Sequence, residues 1–116
     1  MSQSRAFIEP DMKRPIALIH ASPAAIAPLV QFYGEAAPEL ALTNLLDDGL
    51  LRMFAAGRMH DAASRLTEMI VTARQCYGAE LALLTCSAVP RALQLEMQSA
   101  LGLPVLKIDD ALARAA

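Results

Sequence analysis

The chain has 116 residues, enough for one domain around one core, and 55% of them are hydrophobic. Its net charge is −2, its Lys and Arg residues are scattered, and it has three Phe, two Tyr and no Trp, so a nucleic-acid partner is disfavoured. No apolar run approaches the roughly 20 residues of a membrane-spanning helix, so no membrane partner is expected.

The apolar share exceeds the usual level of about 45–50% for a soluble domain. The excess calls for strands buried on both faces, a subunit interface or a second domain. Residues 1–14 read as a flexible N-terminal arm, polar and without the apolar centre of a signal peptide. With two cysteines, no export signal and no metal-ligand spacing, a reduced cytoplasmic setting is expected, with no metal and no cofactor.

From Pro15 the pattern becomes regular. Ile16-Ala17-Leu18-Ile19 is apolar without alternation, as in a strand covered on both faces, and it stops at His20. His20-Ala21-Ser22-Pro23 is a loop. A helix follows from about Ala25 to Ala37, with Pro28 in its first turn, where a missing N–H costs little. Leu40 to Leu46 is a second strand, stopped by the turn Asp47-Asp48-Gly49. Leu50 to Gly57 is ambiguous and compatible with a short helix. From Asp61, the residues Ala62, Leu66, Met69, Ile70, Ala73 and Tyr77 share one helical face, and Gly78 is a natural left-handed stop.

Leu81 to Thr85 is a third strand, running into Cys86-Ser87-Ala88. Leu93, Met97, Ala100 and Leu101 mark the next helix, which Gly102 ends. Pro104 to Ile108 is a fourth strand, and Asp109 is placed to cap a last helix. The alternation of strands and helices predicts an α/β fold: residues 15–116 form a single three-layer lobe. Its four-stranded parallel sheet has order 2-1-3-4, right-handed crossovers and flanking helices.

In such a sheet ligands bind beyond the carboxyl ends of the strands, at the point where the strand order reverses. Here that point lies between the first and third strands, so His20, Ser22, Cys86 and Ser87 are expected to border one crevice. Cys86 precedes a helix start, and backbone N–H groups there favour a thiolate, a better base or nucleophile than a thiol. The same amides, with Ser87, suit a carboxylate. Each residue also has a plainer reading. Cys86 can be a small buried apolar residue, and His20 a loop-bonding histidine. Asp47 and Asp48 can be a solvated turn rather than a partner for a ligand amine. Cys76, late in a helix, is read as structural, and a bond to Cys86 at the opposite sheet edge is discounted. A phosphate loop and Cys-x-x-Cys are absent, and the four residues between Cys86 and Arg91 are one too few for a cysteine phosphatase loop.

Four segments carry a family resemblance: Ile16–Pro23, Asn44–Asp48, Leu84-Thr85-Cys86-Ser87-Ala88, and Leu103-Pro104-Val105-Leu106 followed by Ile108-Asp109. In order and spacing they resemble the aspartate/glutamate/hydantoin racemase superfamily, over Pro15 to Ala116. The resemblance implies two similar lobes around one active site, each offering a cysteine that moves an α-proton without cofactor. It maps the first-lobe cysteine to Cys86, and carboxylate contacts to Ser87 and the Ala88 backbone. The family's usual Cys-Asn-Thr is Cys-Ser-Ala here, which drops a side-chain contact at Ala88. The usual Asp-Ser after the first strand is replaced by His20-Ala21-Ser22.

The resulting expectation is a racemase-like or isomerase-like domain acting on a small carboxylate or amino acid. Cys86 is its acid/base, His20, Ser22, Asp47, Ser87 and Ala88 contact the ligand, and His20 or Asp47 orients it. The alternative is a non-catalytic lobe that binds a small acid or a partner subunit. The sequence matches one lobe, so a homodimer or a second lobe is the expected partner, with a two-fold axis near the strand ends as the arrangement that would bring two Cys86 thiols together.

Overall fold

The computed structural model describes residues 13–108. Four strands form one all-parallel sheet of order β2-β1-β3-β4: β1 (Arg14–His20), β2 (Leu40–Leu46), β3 (Leu81–Leu84) and β4 (Val105–Lys107). Helix α1 (Ile26–Ala36) joins β1 to β2 after a 3-10 turn at Pro23–Ala25. Helices α2 (Leu50–Ala55) and α3 (Met59–Tyr77) join β2 to β3, and α4 (Arg91–Leu101) joins β3 to β4. The expected class and strand order are observed. The expected helix from Asp109 lies outside the described residues, as does most of the N-terminal arm.

The strands begin and end close to where their apolar runs do. β1 starts earlier than expected, at Arg14, because the Arg14 amide donates to the Glu39 carbonyl (2.8 Å) and its guanidinium pairs with Glu80 (2.9 Å). Gly78 and Gly102 end α3 and α4 with φ of 70°, a conformation that costs a residue with a Cβ but not glycine. The ambiguous stretch after Gly49 is α2, closed by Gly57 at φ 75°.

The core lies on one face of the sheet. Ala17 and Ile19 of β1, Ala82 and Leu84 of β3 and Val105 of β4 pack against Leu66, Ile70 and Ala73 of α3. Five of the six positions assigned to the α3 face are buried, but Tyr77 is exposed, since it lies in the last turn beyond the sheet. On α4, Met97 is buried and Leu93 and Leu101 are partly so. Ala100 is exposed, and the buried polar residue is Gln94. Gln94 donates to the Val105 carbonyl and Gln98 accepts from the Val105 amide, each at 2.9 Å. Two glutamines one turn apart thus hold the short edge strand by its backbone.

The other face is covered differently. β2 has no buried residue, and α1 has none either. The expectation of strands buried on both faces therefore holds at Leu18, Ala17 and Ile19 in the centre of the sheet and fails at its β2 edge. Cys76, read as structural, is exposed near the end of α3, and both cysteines are free thiols, as expected.

Candidate functional site

Parallel pairing brings the carboxyl ends of β1 and β3 together. Ile19 pairs with Leu84, and the Thr85 amide continues the ladder by donating to the Ile19 carbonyl (3.0 Å). Beyond this point the two chains diverge, β1 into the 3-10 turn and β3 toward α4. The divergence opens a cleft of about 210 Å³. Its walls are Ala21, Ser22 and Ala25 from the first loop, Thr85 to Ala88 from the second, and Leu51 from α2.

Four of the six expected site residues meet here: Ser22, Cys86, Ser87 and Ala88. The Cys86 side chain is half-buried, with one flank on the hydrophobic core. Ser22 caps the 3-10 turn, its Oγ accepting from the Ala24 amide (3.2 Å). That bond uses a lone pair and leaves the hydroxyl proton for the cleft. Among the described residues, the amides of Cys86, Ser87 and Ala88 donate to no protein acceptor. Val89 is buried and anchors the end of this loop, and Pro90 caps the start of α4, whose first-turn N–H groups add positive character.

His20 is not in the cleft wall. It is wholly buried (0% exposed) and lies behind Thr85. Its Nδ1 is 2.8 Å from Thr85 Oγ1, and its Nε2–H donates to Asn44 Oδ1 (2.7 Å). Since the amide oxygen only accepts, Nε2 carries a proton, and in the tautomer with that single proton Nδ1 is an acceptor. The Thr85 hydroxyl has one proton and two acceptors in reach, Nδ1 at 2.8 Å and the Ile19 carbonyl at 3.2 Å. His20 thus bridges three neighbouring strands and reaches the cleft only through Thr85.

Asp47 is engaged elsewhere. Its Oδ2 accepts from Arg65 Nε (2.6 Å) and its Oδ1 from the Gly49 amide (2.9 Å). The Arg65 bond first, and the Gly49 amide second, hold its carboxyl below the ordinary value. Asp47 closes the turn after β2 and ties it to α3, and it does not line the cleft.

Thr85 and Asn44 are the residues whose roles sequence reasoning missed. Both stand in segments that carry the family resemblance, but the signal for them is strand parity. Leu18 pairs with Asn44 and Ile19 with Leu84, which sets His20, Asn44 and Thr85 on one side of the sheet.

Among the described residues no group of three or more His, Cys, Asp or Glu side chains is placed to hold a metal ion, and no helix is long and apolar enough to cross a membrane. Compared with family models, curated proteins and solved structures, the chain matches none. The site therefore stands on its geometry: Ser22, Thr85, Cys86 and Ser87 around a small cleft at the carboxyl edge of an open parallel sheet.

Proposed function

We propose that this cleft takes a small carboxylate and that the Cys86 thiol serves as acid/base at the carbon beside it, in the manner of the aspartate/glutamate racemases that the sequence resembles. The observation that carries the reading is that Ser22, Cys86 and Ser87 line one cleft, on a loop whose 86–88 amides donate to no protein acceptor among the described residues. Its volume of about 210 Å³ is below the range of about 300–1,000 Å³ usual for drug-sized ligands, which suits a small acid. Loop amides and hydroxyls would hold the carboxylate. The thiolate would take the α-proton, the electron pair would pass into the carboxylate as an enediolate, and the same donors would stabilise the added charge. Return of the proton restores the carbon. A reduced cytoplasmic setting keeps the thiol free for this work.

Inversion also needs a proton donor on the opposite face of the planar carbanion. Among the residues lining the cleft, Cys86 is the one with an ionisable side chain. That observation favours a second reading, a lobe that binds a small acid without turning it over, or one that works with a partner lobe. Solvent-deuterium incorporation at Cα of short 2-amino and 2-hydroxy acids separates these readings. Exchange that is lost in Cys86→Ala supports the acid/base role. Saturable binding without exchange, by calorimetry, supports the binding lobe.

A further inference from the structure

Among the described residues, no Lys, Arg, His, Asp or Glu side chain lines the cleft. Arg65 Nε donates to Asp47 Oδ2 at 2.6 Å, and the Arg52 guanidinium lies beside Gly49 in the same turn, so neither arginine stands in the cleft wall. Asp47, the expected partner for a ligand amine, is held in that turn as well. Half of the wall residues are apolar: Ala21, Ala25, Ala88 and Leu51, the last 44% exposed at the start of α2. A ligand with a second carboxylate would find no cation here and would set a charge beside hydrocarbon, at a cost. A short alkyl group would instead remove apolar surface of Leu51 from water.

The hydroxyls of the wall have unlike roles. Ser22 Oγ accepts from the Ala24 amide, so its proton remains to donate. Thr85 is the reverse. Its Oγ1 is 2.8 Å from His20 Nδ1 and 3.2 Å from the Ile19 carbonyl oxygen. Where Nδ1 is bare, the hydroxyl proton goes to it. Where Nδ1 carries a proton, that N–H donates to Oγ1 and the hydroxyl turns to the carbonyl. The proton is engaged within the protein in both cases, so a lone pair is what Thr85 has to offer a ligand. An acceptor beside a carboxylate site fits the O–H of a 2-hydroxy acid. An ammonium on the same carbon fits less well. No carboxylate lines the cleft to balance it, the start of α4 disfavours a cation, and Cys86 gives up any negative charge when it takes the α-proton.

We infer that the cleft selects a 2-hydroxy monocarboxylic acid with a short apolar side chain. Ser22 and Ser87 serve its carboxylate, Thr85 accepts from its hydroxyl, and Leu51 covers its alkyl group. The inference rests on the reading of the cleft as a carboxylate site and narrows it. It departs from the charged amino acids that the family resemblance implies, because the chain places its ionic turn, Asp47 with Arg65, outside the cleft wall. His20 is a positioning residue in this arrangement: wholly buried, it acts on the ligand through the polarity it gives Thr85.

Protection of Cys86 from iodoacetamide in the full chain tests it, read by peptide mapping with the exposed Cys76 as internal reference. The probes are racemic lactate and 2-hydroxybutyrate, the amino acids alanine and 2-aminobutyrate, the dicarboxylates malate and aspartate, and propionate, which lacks the 2-substituent. Each hydroxy monoacid should protect at a concentration at least tenfold lower than its amino counterpart, malate or propionate. Thr85→Val should bring lactate level with propionate, and Thr85→Ser should restore the gap. A ratio of two ligands on one variant does not move with a loss of stability alone. Leu51→Arg, at an exposed position, should narrow the gap between lactate and malate. Circular dichroism checks that the variants stay folded. Alanine, malate or propionate protecting as well as lactate would overturn the inference and leave the carboxylate cleft standing. So would a lactate–propionate gap that survives in Thr85→Val, or a Leu51→Arg chain that discriminates against malate as before. If none of these acids slows labelling at Cys86, the carboxylate reading falls and the inference falls with it.

Discussion

His20 and Thr85 sit opposite each other across the β1–β3 seam, with Nδ1 2.8 Å from Oγ1, one residue wholly buried and the other in the cleft wall. Replacing Thr85 by Val keeps the shape and removes the hydroxyl. A buried nitrogen then has no donor, at a cost of about 1–3 kcal/mol. Urea unfolding should show that loss for Thr85→Val and recover most of it for Thr85→Ser.

The bond from Nε2–H to Asn44 Oδ1 makes a definite statement about the neutral ring. Long-range ¹H–¹⁵N correlation spectra should show Nε2 protonated and Nδ1 bare. In Asn44→Ala that fixed tautomer should be lost. A protonated Nδ1 in the wild type would reverse the donor and acceptor roles assigned to Thr85.

A cleft that holds carboxylates should sort alkylating reagents by charge. Iodoacetate and iodoacetamide differ mainly in the carboxylate, so the ratio of their rates reports local anion affinity. Cys76 is exposed near the end of α3, with no such cleft, and serves as an internal control. Peptide mapping after competition should give a higher iodoacetate-to-iodoacetamide ratio at Cys86 than at Cys76. Equal ratios would count against an anion site at the loop amides.

Asp47 gives the chain an acid-sensitive tie. Its folded carboxyl titrates below the ordinary value because Arg65 and the Gly49 amide favour the anion. Its contribution is therefore complete above about pH 4 and fades as the pH falls through the lower folded value. With Arg65 well exposed, the pair contributes about 0.5–1 kcal/mol after solvent screening. Asp47→Asn should lower stability by that amount at neutral pH, and the gap to wild type should close toward pH 2–3. Denaturant melts across that range check it.

The same substitution should have opposite signs at two glycines. Gly78 has φ of 70° with open space around its missing Cβ, so Gly78→Ala is strained by backbone alone, about 1 kcal/mol destabilising. Gly34 lies within α1, also in open space, where Ala is the better helix former by about 1 kcal/mol. Thermal melts at one protein concentration should move down for the first and up for the second.

The sequence by itself determined the order of elements, the parallel sheet and the identity of the thiol at the carboxyl edge. Runs such as Ile16–Ile19 and Leu81–Leu84 are short, apolar and punctuated, and nearest-neighbour chemistry decides where they stop. Ser22, Cys86, Ser87 and Ala88 came together because they lie just past two strands that topology makes neighbours.

What only the tertiary structure decided depends on register and on which face is covered. His20 ends a strand whether it points into a cleft or lies beneath it. The pairing of Ile19 with Leu84 turned it to Thr85 and Asn44. Asp47 had the chemistry of a ligand contact until α3 brought Arg65 to within 2.6 Å, and an ion pair so placed is occupied by the fold. The exposure of Val30 and Phe32 on α1 was equally hidden, since an apolar side chain reads the same in sequence whether it meets the core or solvent. Burial is a property of what packs against a residue, and that partner lies far away in the chain or outside it.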